Sequence, residues 1–375
     1  MEIENNKKRK TKNHDEVVTL PPELIEKILL PLPLKSLIRF RCVSKQWFSM
    51  ISDSHFTKSH FDLASNTNDN MLLYFPPDKS VARCVDVEGS IHHDYAVQIP
   101  ETYEHYSLRV MGSCRGFILL INCVNGTHFV VWNPTTGFHA TVSYPSPLLR
   151  GDMYRPHQLW VGIGYDKSSD DYLVVAGWRD PFKTSKHRWD FFSVRNNCWK
   201  EIETRGFHSN FLITCNSGVF YNGAIHWLAV RTDGEGGRVI VAFDLEGKNL
   251  SILSLPPVLH GGGTPMLKLF GGYLGISYMS WQTWRNELWV LKEYKVESTW
   301  TKLNNYIPLD DTFTPMCLTK SNECVGRRNI NMLTKFGERG KLLESKVIEC
   351  DSHIIMTMFE KTLLTLPRNK REDDH

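Results

Sequence analysis

The chain of 375 residues contains nine cysteines but no pair at CxxC spacing; the closest are Cys114 with Cys123 and Cys317 with Cys324. An odd, scattered set argues against both a disulfide framework and a zinc knuckle, and fits reduced thiols. Long hydrophobic runs are also missing. None approaches the ~18 residues needed to cross a bilayer, and the N-terminus is charged rather than a signal peptide, so no membrane partner is expected. Charge of one sign is lacking too. Lys and Arg total 44 against 41 Asp and Glu, a net charge of +3, which argues against dedicated nucleic-acid binding. The fifteen histidines include no pair at i, i+4, so metal ligation has no support, and no cofactor is expected.

Catalytic motifs fail on context. Gly112 to Gly116, GSCRG, has the spacing of a nucleophile elbow, and His260 to Gly263, HGGG, that of an esterase oxyanion string. An elbow must open a helix, whereas Phe117 to Ile121 reads as a strand, and the glycine string follows the nucleophile instead of preceding it. Gly337 to Lys341 lacks the length and the Ser/Thr of a P-loop. The expectation is a protein without a catalytic residue.

What is present begins at residue 20. In LPPELIEKILLPLPLKSLIRFRCVSKQWFSMISDSHFTKSHF, Leu24, Ile25, Ile28, Leu29 and Leu32 recur at helical spacing after Pro21 and Pro22. Pro31 and Pro33 end that helix, because neither donates an N–H and each moves its predecessor out of the helical region. A second run carries Leu34, Leu37, Ile38 and Phe40. A third starts at Ser44 as N-cap and carries Trp47, Phe48, Met50 and Ile51. A unit of roughly 40 residues with apolar side chains on several faces buries too little of itself and calls for a partner surface.

These residues resemble the F-box, the module that docks substrate receptors onto the Skp-type adaptor of SCF ubiquitin ligases. The resemblance implies that Leu20, Pro21, Leu24, Ile25, Ile28, Leu29, Leu32, Pro33 and Trp47 form the adaptor-facing or inter-helix surface. It also implies a cullin reached through that adaptor. Ser54 stands where relatives often have proline.

Ahead of the helical unit lies a polar tail, residues 1–16, expected to be disordered. Its Lys7, Lys8, Arg9, Lys10 and Lys12 resemble a nuclear localisation signal, while Glu2, Glu4, Asp15 and Glu16 fit an ordinary solvated arm. Nucleus and cytoplasm therefore both stay open. Residues 367–375 form a second charged tail.

From about residue 70 the pattern becomes short runs of Val, Ile, Phe, Tyr and Trp separated by Gly, Asn-Gly and Asn-Pro. Trp132, Phe191, Phe243 and Trp289 mark equivalent strands 59, 52 and 46 residues apart, the drifting period of kelch-type propeller blades. Tight turns at Cys114 to Gly116, Asn222-Gly223 and Gly271-Gly272 add a hairpin to each repeat. With a first blade near residues 71–87 and a last after about 312, six blades are favoured and seven stay open. The fold class is thus α+β as a multidomain chain. An all-α module at 17–61 precedes an all-β, kelch-like propeller at 62–366.

The strings GSCRGFILL, VVWNPTTG, GIGYDKSSDDYLVV, FFSVRNNCWKEI, GVFYNGAIHWLA, VAFDLE and LWVLKEYKVESTWTKL resemble, in order, the F-box-associated domain of plant F-box proteins. That resemblance implies a substrate-recognition domain and a target protein as second partner. In an up-and-down blade the first-to-second and third-to-fourth turns share one face, and here they are short. The other face receives the long connections Tyr144 to Trp160, Trp178 to Asp190, Arg231 to Arg238, Pro256 to Pro265 and Met279 to Asn286. Long loops with aromatics and arginines suit recognition, so Trp178, Arg179, Trp281, Trp284 and Arg285 are the target-binding candidates. Two alternatives to a ligase receptor stay open: a glycan- or ligand-binding propeller, and a Skp-binding adaptor that assembles no ligase.

Overall fold

A computed structural model describes residues 20–64, 70–76, 81–100, 108–122, 128–145, 159–179, 187–203, 211–214, 217–232, 237–256, 259, 263–281, 285–303, 313–329, 331–348 and 355–367. The chain divides into two compact units, Met1–Ala64 and Ser65–His375.

The first unit holds four short helices: α1 Pro22–Leu29, α2 Leu34–Phe40, α3 Lys45–Ser52 and α4 Ser54–Ala64. Proline sits in the first turn of α1, where its missing N–H costs nothing. Ser44 caps α3, its hydroxyl accepting from the Trp47 N–H at 3.1 Å. Asp53 caps α4 by accepting from the N–H groups of His55 and Phe56 at 2.8 and 3.2 Å. That last helix runs on through residue 61, where the sequence pattern had been taken to end. Leu29, Leu37, Ile51 and Phe56 make its small buried core.

The second unit is a propeller of six blades, each a four-stranded antiparallel sheet. Blade 2 is Leu108–Cys114, Phe117–Asn122, His128–Trp132 and His139–Ser143; blade 3 is Leu159–Asp166, Asp171–Arg179, His187–Ser193 and Cys198–Glu201. Blade 4 has an interrupted innermost strand, Phe211–Ile213 and Val219–Tyr221, followed by Ala224–Arg231, Arg238–Asp244 and Asn249–Ser254. Blade 5 comprises Gly263–Phe270, Tyr273–Ser280, Arg285–Leu291 and Trp300–Lys302. Blade 6 comprises Phe313–Leu318, Cys324–Arg328, Met332–Phe336 and Leu342–Val347.

Blade 1 is built from both ends of the domain. Its outer three strands are Asn70–Phe75, Val81–Asp86 and Asp94–Gln98, and its innermost strand is Ile355–Glu360, paired from Asn70↔Glu360 to Phe75↔Ile355. Closing the ring with a late strand leaves no unpaired inner edge.

The core lies in the seams between blades. Met71, Leu73, Cys84 and Phe359 of blade 1 pack on Ile118, Leu120 and Trp132 of blade 2. Blades 3 and 4 share Trp160, Trp189 and Trp227, whose neighbouring rings lie 4.9 and 5.4 Å apart. Val85 and Ile91 meet Val325 and Leu333 where blade 6 returns to blade 1. Glycine makes room for this aromatic packing: a Cβ on Gly177 would lie 2.7 Å from the Trp189 ring.

After its closing strand the chain runs on as residues 361–367, in no helix or strand, with Thr362, Leu363, Leu364 and Leu366 buried. Asn133, itself buried, pins this segment. Its Nδ2 donates to the carbonyls of Thr362 and Leu364, both at 3.2 Å, while its Oδ1 accepts from the N–H of Thr135 at 2.9 Å.

Candidate interaction surfaces

On the helical unit, the nine adaptor candidates separate by exposure. Leu20, Leu24 and Ile28 are 51%, 46% and 55% exposed, and Pro21 and Pro33 are exposed as well. Ile25, Leu32 and Trp47 are half-buried, with Trp47 edge-on to Phe40 at 5.4 Å. Leu29, 1% exposed, takes the inter-helix part of the expected surface. Lying one turn after Ile25, it faces the other helices and contributes to the contact among them, not to an outer surface. Val43, Phe48, Ile38 and Leu63 are exposed apolar side chains outside the nine candidates. For Ile38 and Phe48 the apolar spacing of α2 and α3 was the signal available. The Arg41 guanidinium lies over the Phe48 ring at 4.9 Å, keeping that ring beside a cation.

On the propeller, the short turns and the long connections fall on opposite faces, as the strand pairing requires. The short turns include Arg115-Gly116, Lys167 to Asp170, Asn222-Gly223 and Gly271-Gly272. Arg115, Asp170, Asn197, Asn222, Lys248, Lys295, Asn322 and Arg339 adopt positive φ in these turns, the left-handed geometry of tight hairpins. Asn70, the first described residue of the propeller, also lies on this short-turn face, opposite Glu360.

Of the five target candidates on the other face, Trp281 is 54% exposed at the end of a blade 5 strand. Arg179 ends a strand of blade 3 and Arg285 begins one of blade 5; Trp284 lies outside the described residues. Trp178 is a correction. It belongs to the strand Asp171–Arg179, is 5% exposed, and has the Arg188 guanidinium over its ring at 5.7 Å. The connection expected from Trp178 onward begins later, because Gly177 is a strand position that admits the Trp189 ring and the hairpin continues past it.

Register shows a charge pattern that linear spacing hides. Consider the long-connection ends of the inner three strands of each blade: the first two residues of strands one and three and the last two of strand two. They hold Arg109, Arg179, Arg188, Arg231, Arg238, Arg285, Arg327 and Arg328, with no lysine, aspartate or glutamate. The opposite ends of the same strands hold Asp86, Asp166, Asp171, Asp244 and Glu360, with no arginine and one lysine, Lys335, which pairs with Glu323 at 2.6 Å.

The acidic set has a local structural cause. Asp86 accepts from the N–H of Glu88 and Gly89, both at 3.1 Å, and Asp244 from those of Glu246 and Gly247 at 3.1 and 2.7 Å, each closing its own turn. Asp166 closes its turn through Ser168 and also receives the Lys248 ammonium at 2.7 Å. Burial acts to raise its pKa, but the hydrogen bonds from Lys248, Ser168 and Ser169 outweigh burial and hold the carboxyl well below the usual range.

The arginines are more varied. Arg238 donates to the carbonyls of Leu259 and Gly263 at 3.0 and 2.6 Å, fastening the connection into blade 5. Arg188 pairs with Asp190 and Glu201, each at 3.3 Å. Arg109 is exposed on the innermost strand of blade 2, and Arg327 is half-buried at the end of a blade 6 strand.

At the axis, blades 2, 3 and 4 meet backbone to backbone. The Gly218 N–H lies 3.0 Å from the Met111 carbonyl and 2.8 Å from the Val161 carbonyl, and Ser217 bridges to Val161. A Cβ on Gly112 would come within 2.8 Å of the Gly218 carbonyl oxygen, and one on Gly162 within 2.6 Å of Ile225. The GSCRG string therefore serves close packing. Its Cys114 is buried at a strand end, burial pushes the thiol well up, and the chain turns directly into another strand. His260 lies outside the described residues. Burial pushes the Cys84 and Cys317 thiols up to about 12, which leaves them protonated and unreactive.

Known proteins fit this architecture. An F-box domain matches residues 18–59, and an F-box associated beta propeller domain matches residues 48–353. The chain is 27% identical to F-box protein CPR1 of Arabidopsis thaliana, covering 76% of this chain and 73% of that protein. It is 28% identical to an F-box/kelch-repeat protein of the same plant, covering 80% and 83%. Among solved structures, apo AztD from Citrobacter koseri aligns with a TM-score of 0.38 at 9% identity, over 79% of this chain and 99% of that one. A likeness of that size says nothing about activity. With the helical module, the six blades and the matched domains in agreement, the chain belongs to the plant F-box proteins that carry an F-box associated beta propeller domain.

Proposed function

We propose that this protein is the substrate-recognition subunit of an SCF-type ubiquitin ligase. The helical unit binds a Skp-type adaptor, and a cullin through it. The propeller holds a target protein on its long-connection face, and the target is ubiquitinated and degraded. The chain performs no bond chemistry itself; it raises the effective concentration of target lysines near a ubiquitin carrier. The same basic tail that suits nuclear import leaves the complex a place in nucleus or cytoplasm.

The observation that carries this function is the apolar surface of the helical unit. Leu20, Leu24, Ile28, Val43 and Phe48 are all exposed on a unit whose described residues bury four large apolar side chains. So much apolar surface on so small a body is what a permanent partner covers.

Co-purification tests it. The double substitution Leu20→Ala with Pro21→Ala should abolish binding to a Skp-type adaptor while the β-rich circular dichroism of the propeller persists. An unsubstituted chain that is monodisperse alone and binds neither adaptor nor cullin would overturn the proposal. Binding to the adaptor without a cullin would leave an adaptor that assembles no ligase.

A further inference from the structure

We infer that the long-connection face recognises an acidic stretch of its target, whose carboxylate or phosphate groups are received by arginines around the inner rim. This deepens the proposed function and rests on the propeller being the target receptor. The inference comes from the opposed charge of the strand ends. Blades 2 to 6 place arginine, and no blade a carboxylate, at the long-connection ends of their inner strands, while the opposite ends carry carboxylates that close turns.

Arginine in place of lysine matters chemically. A guanidinium presents paired donors that match a carboxylate or phosphate, stays charged at any physiological pH, and is only weakly hydrated. Arg238 and Arg188 have structural partners. Arg109 on the innermost strand of blade 2 is exposed, and Arg327 in blade 6 is half-buried. Arg285 starts the blade 5 strand that pairs with Ser280, immediately before the exposed Trp281. An arginine rim with one open indole suits a peptide bearing acidic side chains and an apolar neighbour.

The test uses the full chain purified with its Skp-type adaptor and fluorescence anisotropy of labelled peptides: oligoglutamate, oligophosphoserine and oligoserine. The expected result is at least about tenfold tighter binding of one or both acidic peptides than of oligoserine. The double substitution Arg109→Gln with Arg327→Gln should weaken that binding about tenfold or more. Lys167→Gln with Lys320→Gln, both exposed on the short-turn face, should leave it unchanged. The ratio of the two acidic peptides distinguishes a carboxylate from a phosphate source.

Equal binding of all three peptides, with the adaptor still bound, would overturn the acidic-segment inference and leave the receptor function standing. So would a single-stranded oligonucleotide that competes better than either acidic peptide. If the double arginine variant melts earlier but binds peptide as before, these arginines serve the chain's own carboxylates, and the inference fails. Loss of adaptor binding by the unsubstituted chain would instead remove the receptor function beneath it.

Discussion

Asn133 joins two parts of the chain that sequence places far apart, and replacing it measures how firmly the propeller is closed. The side chain is fully buried and spends both ends of its amide. The Nδ2 donates to the Thr362 and Leu364 carbonyls, and the Oδ1 accepts from Thr135 at 2.9 Å and Thr136 at 3.4 Å. Asn133→Ala removes the donor from two carbonyls and the acceptor from the turn. A buried polar group left without its partner costs about 1–3 kcal/mol, and loss of an Asx-type cap about 1 kcal/mol. These terms are not additive, because the released segment rearranges. A total of about 3–5 kcal/mol follows, near 6–10 °C in Tm at roughly 2 °C per kcal/mol for a large domain. Thermal melting of the purified chain measures the shift, and amide exchange shows where it acts, with protection falling in Ile355–Glu360 and the segment after it. Asn133→Asp separates the two halves of the amide. It keeps the turn acceptor but aims a carboxylate at two carbonyls, so it should cost at least as much as alanine. If Asn133→Asp melts like the unsubstituted protein, the contact with residues 361–367 is not what holds the ring closed.

Two further outcomes test the seams. Gly177→Ala puts a methyl group 2.7 Å from the Trp189 ring and should cost about 1–3 kcal/mol in chemical denaturation, although this glycine is not at positive φ; an unchanged midpoint would show that the Trp160, Trp189 and Trp227 group yields easily. His226 is buried, with Nδ1 donating to the Val219 carbonyl at 3.1 Å and Nε2 accepting from the Tyr294 hydroxyl at 2.9 Å, and burial pushes its pKa down to about 4 from the ordinary 6.5. The folded state therefore stays neutral while the unfolded chain takes up a proton, so stability should fall as pH drops from about 6.5 toward 4, by up to about 3 kcal/mol from this group. His226→Gln should flatten that part of the stability–pH curve, and an identical curve for both proteins would refute the assignment.

Much of the architecture was legible because its causes are local. Proline ended α1, Ser44 capped α3, and paired glycines and Asn-Gly marked hairpins whose spacing gave the blade period. The features that stayed hidden depend on what lies opposite in space. Nothing in Ile355–Glu360 distinguishes it from any other strand, and its role as inner strand of blade 1 follows only from pairing with Asn70–Phe75. Leu29 and Ile28 are neighbours in one apolar pattern; periodicity separates their faces but does not say which face the other helices cover. Trp178 reads as the start of a loop, since the vacancy at Gly177 shows its purpose only once Trp189 is seen to occupy it. The arginine rim was half visible, in Arg179 and Arg285. The remaining members are scattered from Arg109 to Arg328 and come to one level only through strand register.

The composite first blade ties function to the order of synthesis. Strands made early, Asn70–Phe75 onward, wait for Ile355–Glu360 before their inner edge is covered, and the segment that Asn133 grips is made later still. Until then five complete blades and an incomplete sixth cannot hold a fixed ring, and a chain interrupted anywhere before residue 355 exposes an open edge to other chains and to proteases. The helical unit is made before the propeller, and the propeller's inner ring is closed only by Ile355–Glu360. In the proposed receptor, a translation product that stops short of Ile355–Glu360 therefore occupies an adaptor without presenting a target, and that strand makes ring closure wait for the whole propeller to be made.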